Sequence, residues 1–217
     1  MPHVLWIGGA QWAGKSTVAN LLAARHPVVR YAYDYHDARS HSRRARAHPD
    51  RFPTFASFLA DLDADPDRVW VDPSPLEMAD RARSIFAERF EMVLDDVAAL
   101  PDGVPVIAEG WGLRPELVAP QLADPAEAVF LVSSDDFRRR QLEGLERARA
   151  LSTGGLTNPD RAQENRVERD RILAADVVER ATALGLPLIT VDGSRDAHAV
   201  TTMVEEQFRP FLPDWLY

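Results

Sequence analysis

The sequence predicts an α/β fold built on a parallel sheet with helices on both faces. Two observations carry that prediction. Short apolar, β-branched runs recur at residues 3–8, 28–33, 104–108, 128–132 and 187–191, and helical patterns separate them. Strands that alternate with helices join in parallel, because each helix is the crossover, and the helices then cover both sheet faces. The second observation is a glycine-containing loop, Gly9-Ala10-Gln11-Trp12-Ala13-Gly14-Lys15-Ser16-Thr17, set between the first apolar run and a helical pattern.

The first run, His3-Val4-Leu5-Trp6-Ile7-Gly8, reads as a buried strand, and Thr17 to Ala24 has the Ala/Leu content of a helix start. The loop between them matches G-x-x-x-x-G-K-[ST]. A strand–loop–helix arrangement aims successive backbone N–H groups and the positive end of a helix dipole at one spot, which suits polyphosphate. The cofactor-binding set is therefore Gly9, Ala10, Gln11, Trp12, Ala13, Gly14, Lys15, Ser16 and Thr17. Lys15 would reach the β- and γ-phosphates, and the Ser16 hydroxyl would ligate Mg²⁺. Trp12 either stacks on a ligand or packs beneath a lid.

The second run ends in Asp34-Tyr35-His36-Asp37, beside the phosphate loop in a parallel sheet. Transfer of a phosphoryl group to an alcohol needs a carboxylate that orients the acceptor and takes its proton, which is a role for Asp34. The competing role is a helix cap. Asp37 would assist Asp34 or bind substrate, and His36 reads as a surface or substrate-contacting residue. About seventy residues then precede the third strand. They include a short amphipathic helix at 53–59 and a long helix at 75–100, and the insertion at 34–100 serves either as a substrate cap or as cover for the sheet.

The third strand ends in Ala108-Glu109-Gly110-Trp111-Gly112. A carboxylate after an apolar strand next to the phosphate loop completes a Mg²⁺ shell or grips substrate, so Glu109 is a metal and substrate candidate. Trp111 is a substrate-binding candidate, and the glycines beside it allow close backbone approach to a ligand. After the fourth strand, Ser133-Ser134-Asp135 opens an arginine-rich helix, residues 152–159 break it, and 160–184 is helical again. This helix–loop–helix at 138–166 is a candidate lid. Most of its arginines pair with glutamates at helical spacing, and Arg140, Arg147 and Arg166 are the catalytic candidates.

Composition sets outer bounds. The chain has 217 residues, enough for one domain with a sizeable core. A net charge of −9 argues against general binding of nucleic acid or anionic membrane. There is no cysteine, so disulfides and thiolate chemistry are excluded. No apolar run reaches the ~18 residues of a membrane helix. The start reads as a strand and not a signal peptide, which predicts a cytoplasmic protein. Phe208, Phe211, Trp215 and Leu216 form a C-terminal apolar cluster that packs on the body or makes a homodimer contact.

Taken together, Gly9–Thr17, Asp34-Tyr35-His36-Asp37, Glu109-Gly110 and the arginine-rich lid resemble the small P-loop kinases of the shikimate, gluconate and adenylate kinase type. The resemblance implies a three-layer P-loop NTPase fold, a five-stranded parallel sheet in the order 2-3-1-4-5, and a helical lid. It also implies ATP and Mg²⁺ as cosubstrates and a small acceptor. The expectation is a single-domain phosphotransferase acting on a hydroxylated metabolite: a sugar acid, a nucleoside or nucleotide, or an antibiotic. Two other readings stand beside it. A nucleotide-hydrolysing switch fits the loop, although the chain lacks the Asn/Thr-Lys-x-Asp signature of guanine-specific switches. A nucleic-acid 5′-end kinase needs a basic channel.

Overall fold

The computed structural model describes residues 2–144 and 154–213, with Asp37 and Ala38 described by their backbone alone. Its centre is an all-parallel five-stranded sheet of β1 (Val4–Gly9), β2 (Val29–Ala32), β3 (Val106–Glu109), β4 (Ala128–Ser133) and β5 (Leu188–Val191), in the order β2-β3-β1-β4-β5. The order inferred from the resemblance is the one observed. β1 is central because it pairs with β3 on one side and β4 on the other, with Ile7 opposite both Glu109 and Val129.

Period-two alternation divides the core into two layers. Leu5, Ile7, Ile107, Val129 and Leu131 face a cluster with Val18 and Leu22 of α1 (Lys15–Arg25). Val200, Val204 and Phe208 of the last described helix, Ala197–Phe208, close the same layer. Trp6, Tyr31, Ala108, Phe130 and Val132 face the opposite layer. Strands covered on both faces read as continuous apolar runs, which is why five of them were visible in the sequence. Phe208 is fully buried and Phe211 packs partly buried on the same layer; Trp215 and Leu216 lie outside the described residues.

The long insertion does two jobs. After β2 the chain turns at once into α2 (Tyr33–His36), a π-helical turn at Asp37–His41 and α3 (Ser42–Ala47), so β2 is shorter at both ends than the sequence run. Then come α4 (Pro53–Ala64), α5 (Asp67–Trp70) and α6 (Pro75–Ala98). α6 begins where a capping box dictates: Ser74 Oγ accepts the Glu77 N–H at 3.3 Å, Glu77 accepts the Ser74 N–H at 2.8 Å, and Pro75 sits at the first helical position. One face of α6 puts Phe86, Phe90 and Val93 on the sheet. Its other face, through Ile85 and Met92, holds Ala45, Phe52, Phe55 and Leu59 of the preceding segments. The insertion thus covers the sheet with one helix and stacks a second layer on it.

A polar network pins that second layer. Tyr31 donates its hydroxyl to Asp96 Oδ2 at 3.0 Å, and Arg44 donates to Oδ1 at 3.0 Å. Arg89 Nε lies 3.3 Å from Nδ1 of the fully buried His41. Arginine only donates, so this nitrogen accepts, and the proton on Nε2 goes to Asp96 Oδ2 at 3.0 Å. Burial alone would raise the Asp96 carboxyl, but the hydrogen bonds from His41 and Tyr31 outweigh it and hold the pKa below its ordinary value. A lowered folded pKa gives stability that is fully present above about pH 4 and lost as pH falls through the folded value. Asp96→Ala leaves three buried or half-buried donors without their acceptor. We expect a loss of about 2–3 kcal/mol at pH 7, read as a shift in the urea midpoint. A change below about 0.5 kcal/mol would remove the network from the account of how the insertion is held.

The chain continues through α7 (Pro115–Val118) and β4 to α8 (Asp135–Gly144), where Ser134 Oγ accepts the Phe137 N–H at 3.2 Å as the sequence signal predicted. α9 (Pro159–Ala183) starts with Asn158 as cap, its Oδ1 accepting the Arg161 N–H at 3.1 Å. α10 (Ala197–Phe208) ends the described helices. α9 is tied to the insertion from its first turns. Thr157 donates its N–H to Asp67 Oδ1 at 3.0 Å and its hydroxyl to the same carboxylate. Asn165 Nδ2 donates to the carbonyls of Trp70, Val71 and Pro73, each at 3.2 Å. No helix among the described residues is long and apolar enough to cross a membrane.

Candidate active site

The loop from Ala10 to Gly14 connects β1 to α1 at the carboxyl end of the sheet, where open α/β folds bind their ligands. Gly14 takes φ 83°, a left-handed conformation that only glycine adopts at no steric cost, and it turns the chain into the first helical residue, Lys15. The Ala10 N–H donates to the Leu131 carbonyl at 2.8 Å, which fixes the loop to β4. Trp12 also has positive φ, 62°, and here a bulky residue pays the steric cost, about 1–2 kcal/mol. Its indole faces the Arg166 guanidinium at 5.8 Å from α9. Ser16 and Thr17 are exposed on the first turn.

Lys15 is buried, and its ammonium donates to the Ala10 carbonyl at 2.5 Å. Burial pulls its pKa below the ordinary lysine value, against the opposing charges of Asp34 and Glu109. The same burial makes a cation in this loop a strong partner for an anion that displaces the Ala10 carbonyl, because little water screens it.

Glu109 ends β3 opposite Ile7 of β1 and Ala32 of β2, so the sheet register alone puts it beside the loop. It is 2% exposed. Oε2 accepts the Ser16 hydroxyl at 2.9 Å, and Oε1 lies 3.3 Å from Arg30 Nη2. Arg30 itself is a strand residue that also reaches Asn20. Sequence reading passed it over, although one arginine inside an apolar strand run was a visible signal.

Behind the loop opens a cavity of about 420 Å³, within the range of small-molecule sites. Gln11, Asp34, Trp111 and Arg166 line it, all of them sequence candidates. Asp34 is exposed on α2. Trp111 stands edge-on to Phe86 at 4.7 Å. Arg166 is mostly buried, and desolvation lowers its pKa, with Asp170 pulling the other way. Residues that sequence reading missed also line it: Phe55 and Phe58 of α4, Trp70 of α5, Arg81 and Arg89 of α6, and Arg169 of α9. They come from elements far apart in sequence, and the only hint was an arginine, Arg89, among the apolar positions of a long helix.

Other candidates are placed elsewhere. His36 does not line the cavity; it stacks on Tyr31 at 4.5 Å, lies 3.7 Å from Asp96, and burial lowers its pKa. Arg140 donates to the Asp192 carbonyl at 2.7 Å, beyond the end of β5. Arg147 lies outside the described residues, as does the middle of the predicted lid, and Asp37 is described by its backbone only. The glycines around Trp111 serve a different purpose from the expected one. A Cβ at Gly110 or Gly112 would run into the Tyr33 side chain, so the close approach they permit is that of Tyr33 and not of a ligand.

No protein-family model matches the chain, and no curated protein matches its sequence. Solved structures do match. A thymidylate kinase from Candida albicans shares 15% identity at a TM-score of 0.51, covering 96% of this chain and 92% of that one. TT1252 from Thermus thermophilus shares 17% identity at a TM-score of 0.53, covering 94% of this chain and 97% of that one. The likeness is one of architecture: this chain shares the α/β fold of these structures, on a parallel sheet of order 2-3-1-4-5.

Proposed function

We propose that the chain is an ATP- and Mg²⁺-dependent phosphotransferase that moves a γ-phosphoryl group onto the hydroxyl of a small molecule. One observation supports this most: the phosphate-type loop, whose Ser16 donates to Glu109, also lines through Gln11 a separate cavity that carries Asp34 and Arg166. In this reading the loop N–H groups and Lys15 hold the phosphates. Asp34 orients the acceptor hydroxyl and takes its proton, and Arg166 neutralises charge on the transferring group. α4 and α5 act as the cap over the acceptor, and α8 and α9 flank the lid.

The oxygen donors fit Mg²⁺. Ser16 Oγ and Glu109 Oε2 are hard ligands 2.9 Å apart, and this ion commonly takes one or two protein oxygens and fills the rest with phosphate and water. When bound it supplies charge neutralisation on the phosphates. Glu109→Gln keeps the volume but removes the charge, so the half-saturating Mg²⁺ concentration should rise about 10–100-fold. A Mg²⁺ titration of ADP release in which that value stays put would take Glu109 out of the metal shell.

The defining experiment is a panel of hydroxylated metabolites, nucleosides and antibiotics screened for acceptor-dependent ADP release, with the product identified by mass. One compound that gains 80 Da and drives turnover establishes the activity. ADP release indifferent to every acceptor would leave a hydrolase or switch in its place.

A further inference from the structure

The cavity walls speak to the acceptor's chemistry. Resting on the kinase reading above, we infer that the acceptor is an alcohol carried on a flat aromatic or heteroaromatic body, not a polyol or sugar acid. Two aromatic pairs build the walls. Phe58 and Trp70 of α4 and α5 meet edge-to-face at 6.4 Å, and Phe86 and Trp111 of the body meet the same way at 4.7 Å. The Arg169 guanidinium joins them, 5.4 Å from the Trp70 ring and 5.2 Å from the Trp111 ring, and Asp170 holds it at 2.6 Å. Phe55, Leu62, Val69, Met78 and Ile85 fill in the apolar lining.

Polar groups in the lining suit a polyol poorly. Among the described lining residues only Asp34 and Gln11 carry a side-chain acceptor for a hydroxyl. Two of the arginines are already hydrogen-bonded to the protein, Arg89 to the Tyr33 carbonyl at 3.0 Å and Arg169 to Asp170 at 2.6 Å; Arg81 lies 3.5 Å from Asp61, and its buried Nη1 makes no hydrogen bond among the described residues. A sugar acid would bury several hydroxyls with nowhere to donate, and unpaired buried polar groups are strongly disfavoured. A planar ring instead exchanges water for aromatic faces and edges, with offset or edge-to-face contacts. Trp70 Nε1 is buried and has no hydrogen-bond partner among the described residues, a donor that a ring nitrogen or carbonyl oxygen in the cavity would satisfy. The hydroxyl then sits at the Asp34 end, and the ring extends toward α4 and α5.

The test uses the full chain with ATP and Mg²⁺ and two acceptor sets matched in size: aromatic and heteroaromatic alcohols, nucleosides included, against polyols and sugar acids. ADP release, product mass and calorimetric binding are read for each. We expect kcat/KM to favour the aromatic set by ~100-fold. Phe58→Ala should raise KM for the aromatic acceptor about tenfold and leave KM for ATP unchanged, a split that misfolding would not produce. Phosphorylation of polyols in preference to aromatics overturns the acceptor class while the kinase reading stands. Aromatic binding without any phosphoryl transfer overturns the kinase reading and leaves only a ligand slot. Neither binding nor transfer overturns both.

Discussion

Lys15→Ala is expected to lower acceptor-dependent ADP release by ~10³-fold, with the thermal midpoint moving by no more than a few degrees. The asymmetry follows from its surroundings. Lys15 is 6% exposed, yet its one hydrogen bond among the described residues is to the carbonyl of Ala10 in the same loop. Removing it takes a buried charge out of the fold, and Glu109 keeps its contacts with Ser16 and Arg30. The transition state has no such substitute, because the charge on the transferring oxygens needs a fixed cation in a poorly solvated site. Lys15 is also the one lysine in the chain. An amine-directed acylating reagent therefore has a single side-chain target, and its lowered pKa leaves more of the nucleophilic free amine. ATP should protect that residue from acylation, as read by peptide mass. Turnover above a tenth of the native rate in Lys15→Ala, or acylation indifferent to ATP, would falsify the assignment of this loop as the donor site.

Asp34→Asn carries the second large effect. Asp34 lines the cavity proposed for the acceptor, and its charge opposes the lowering of the Lys15 pKa by burial. An amide of the same shape still contacts a hydroxyl but cannot take its proton. We expect kcat to fall about 10²–10⁴-fold while KM for ATP changes by less than about threefold, since no residue of the phosphate loop is replaced. The residue is exposed, so stability should hardly change. Stopped-flow measurement of the chemical step is the decisive reading. A loss smaller than threefold would mean that the carboxylate caps α2 and nothing more.

The two variants probe residues that differed in how openly the sequence displayed them. Lys15 was legible because its neighbours in sequence are its neighbours in space: strand, loop and helix form one continuous hairpin of structure. Glu109 was legible at one remove, since a carboxylate closing an apolar strand run must emerge at the carboxyl end of the sheet. The strands themselves were legible because burial on both faces leaves continuous apolar runs. Arg169 and Arg89 were hidden among the other arginines of their helices. What distinguishes them is an indole on either side in one case, and the Tyr33 ring at 3.7 Å with a buried histidine in the other. Those neighbours lie about fifty to a hundred residues away along the chain. His36 shows the reverse. It adjoins Asp34 in sequence, but the helical turn that starts at Tyr33 carries it away from the cavity and onto Tyr31.

By itself, then, the sequence determined the sheet, its two covered faces and the phosphate-type loop. Each of these depends on local periodicity or on a contiguous run of residues, and such patterns are written in one dimension. The cavity proposed for the acceptor emerged only from the tertiary structure. Its walls are single side chains from β1's loop, α2, α4, α5, α6, the segment after β3 that carries Trp111, and α9, brought together by packing and by the Asp67–Thr157 and Asn165 contacts. No interval of sequence holds that arrangement, because the free energy that creates it is gained only when the distant surfaces meet.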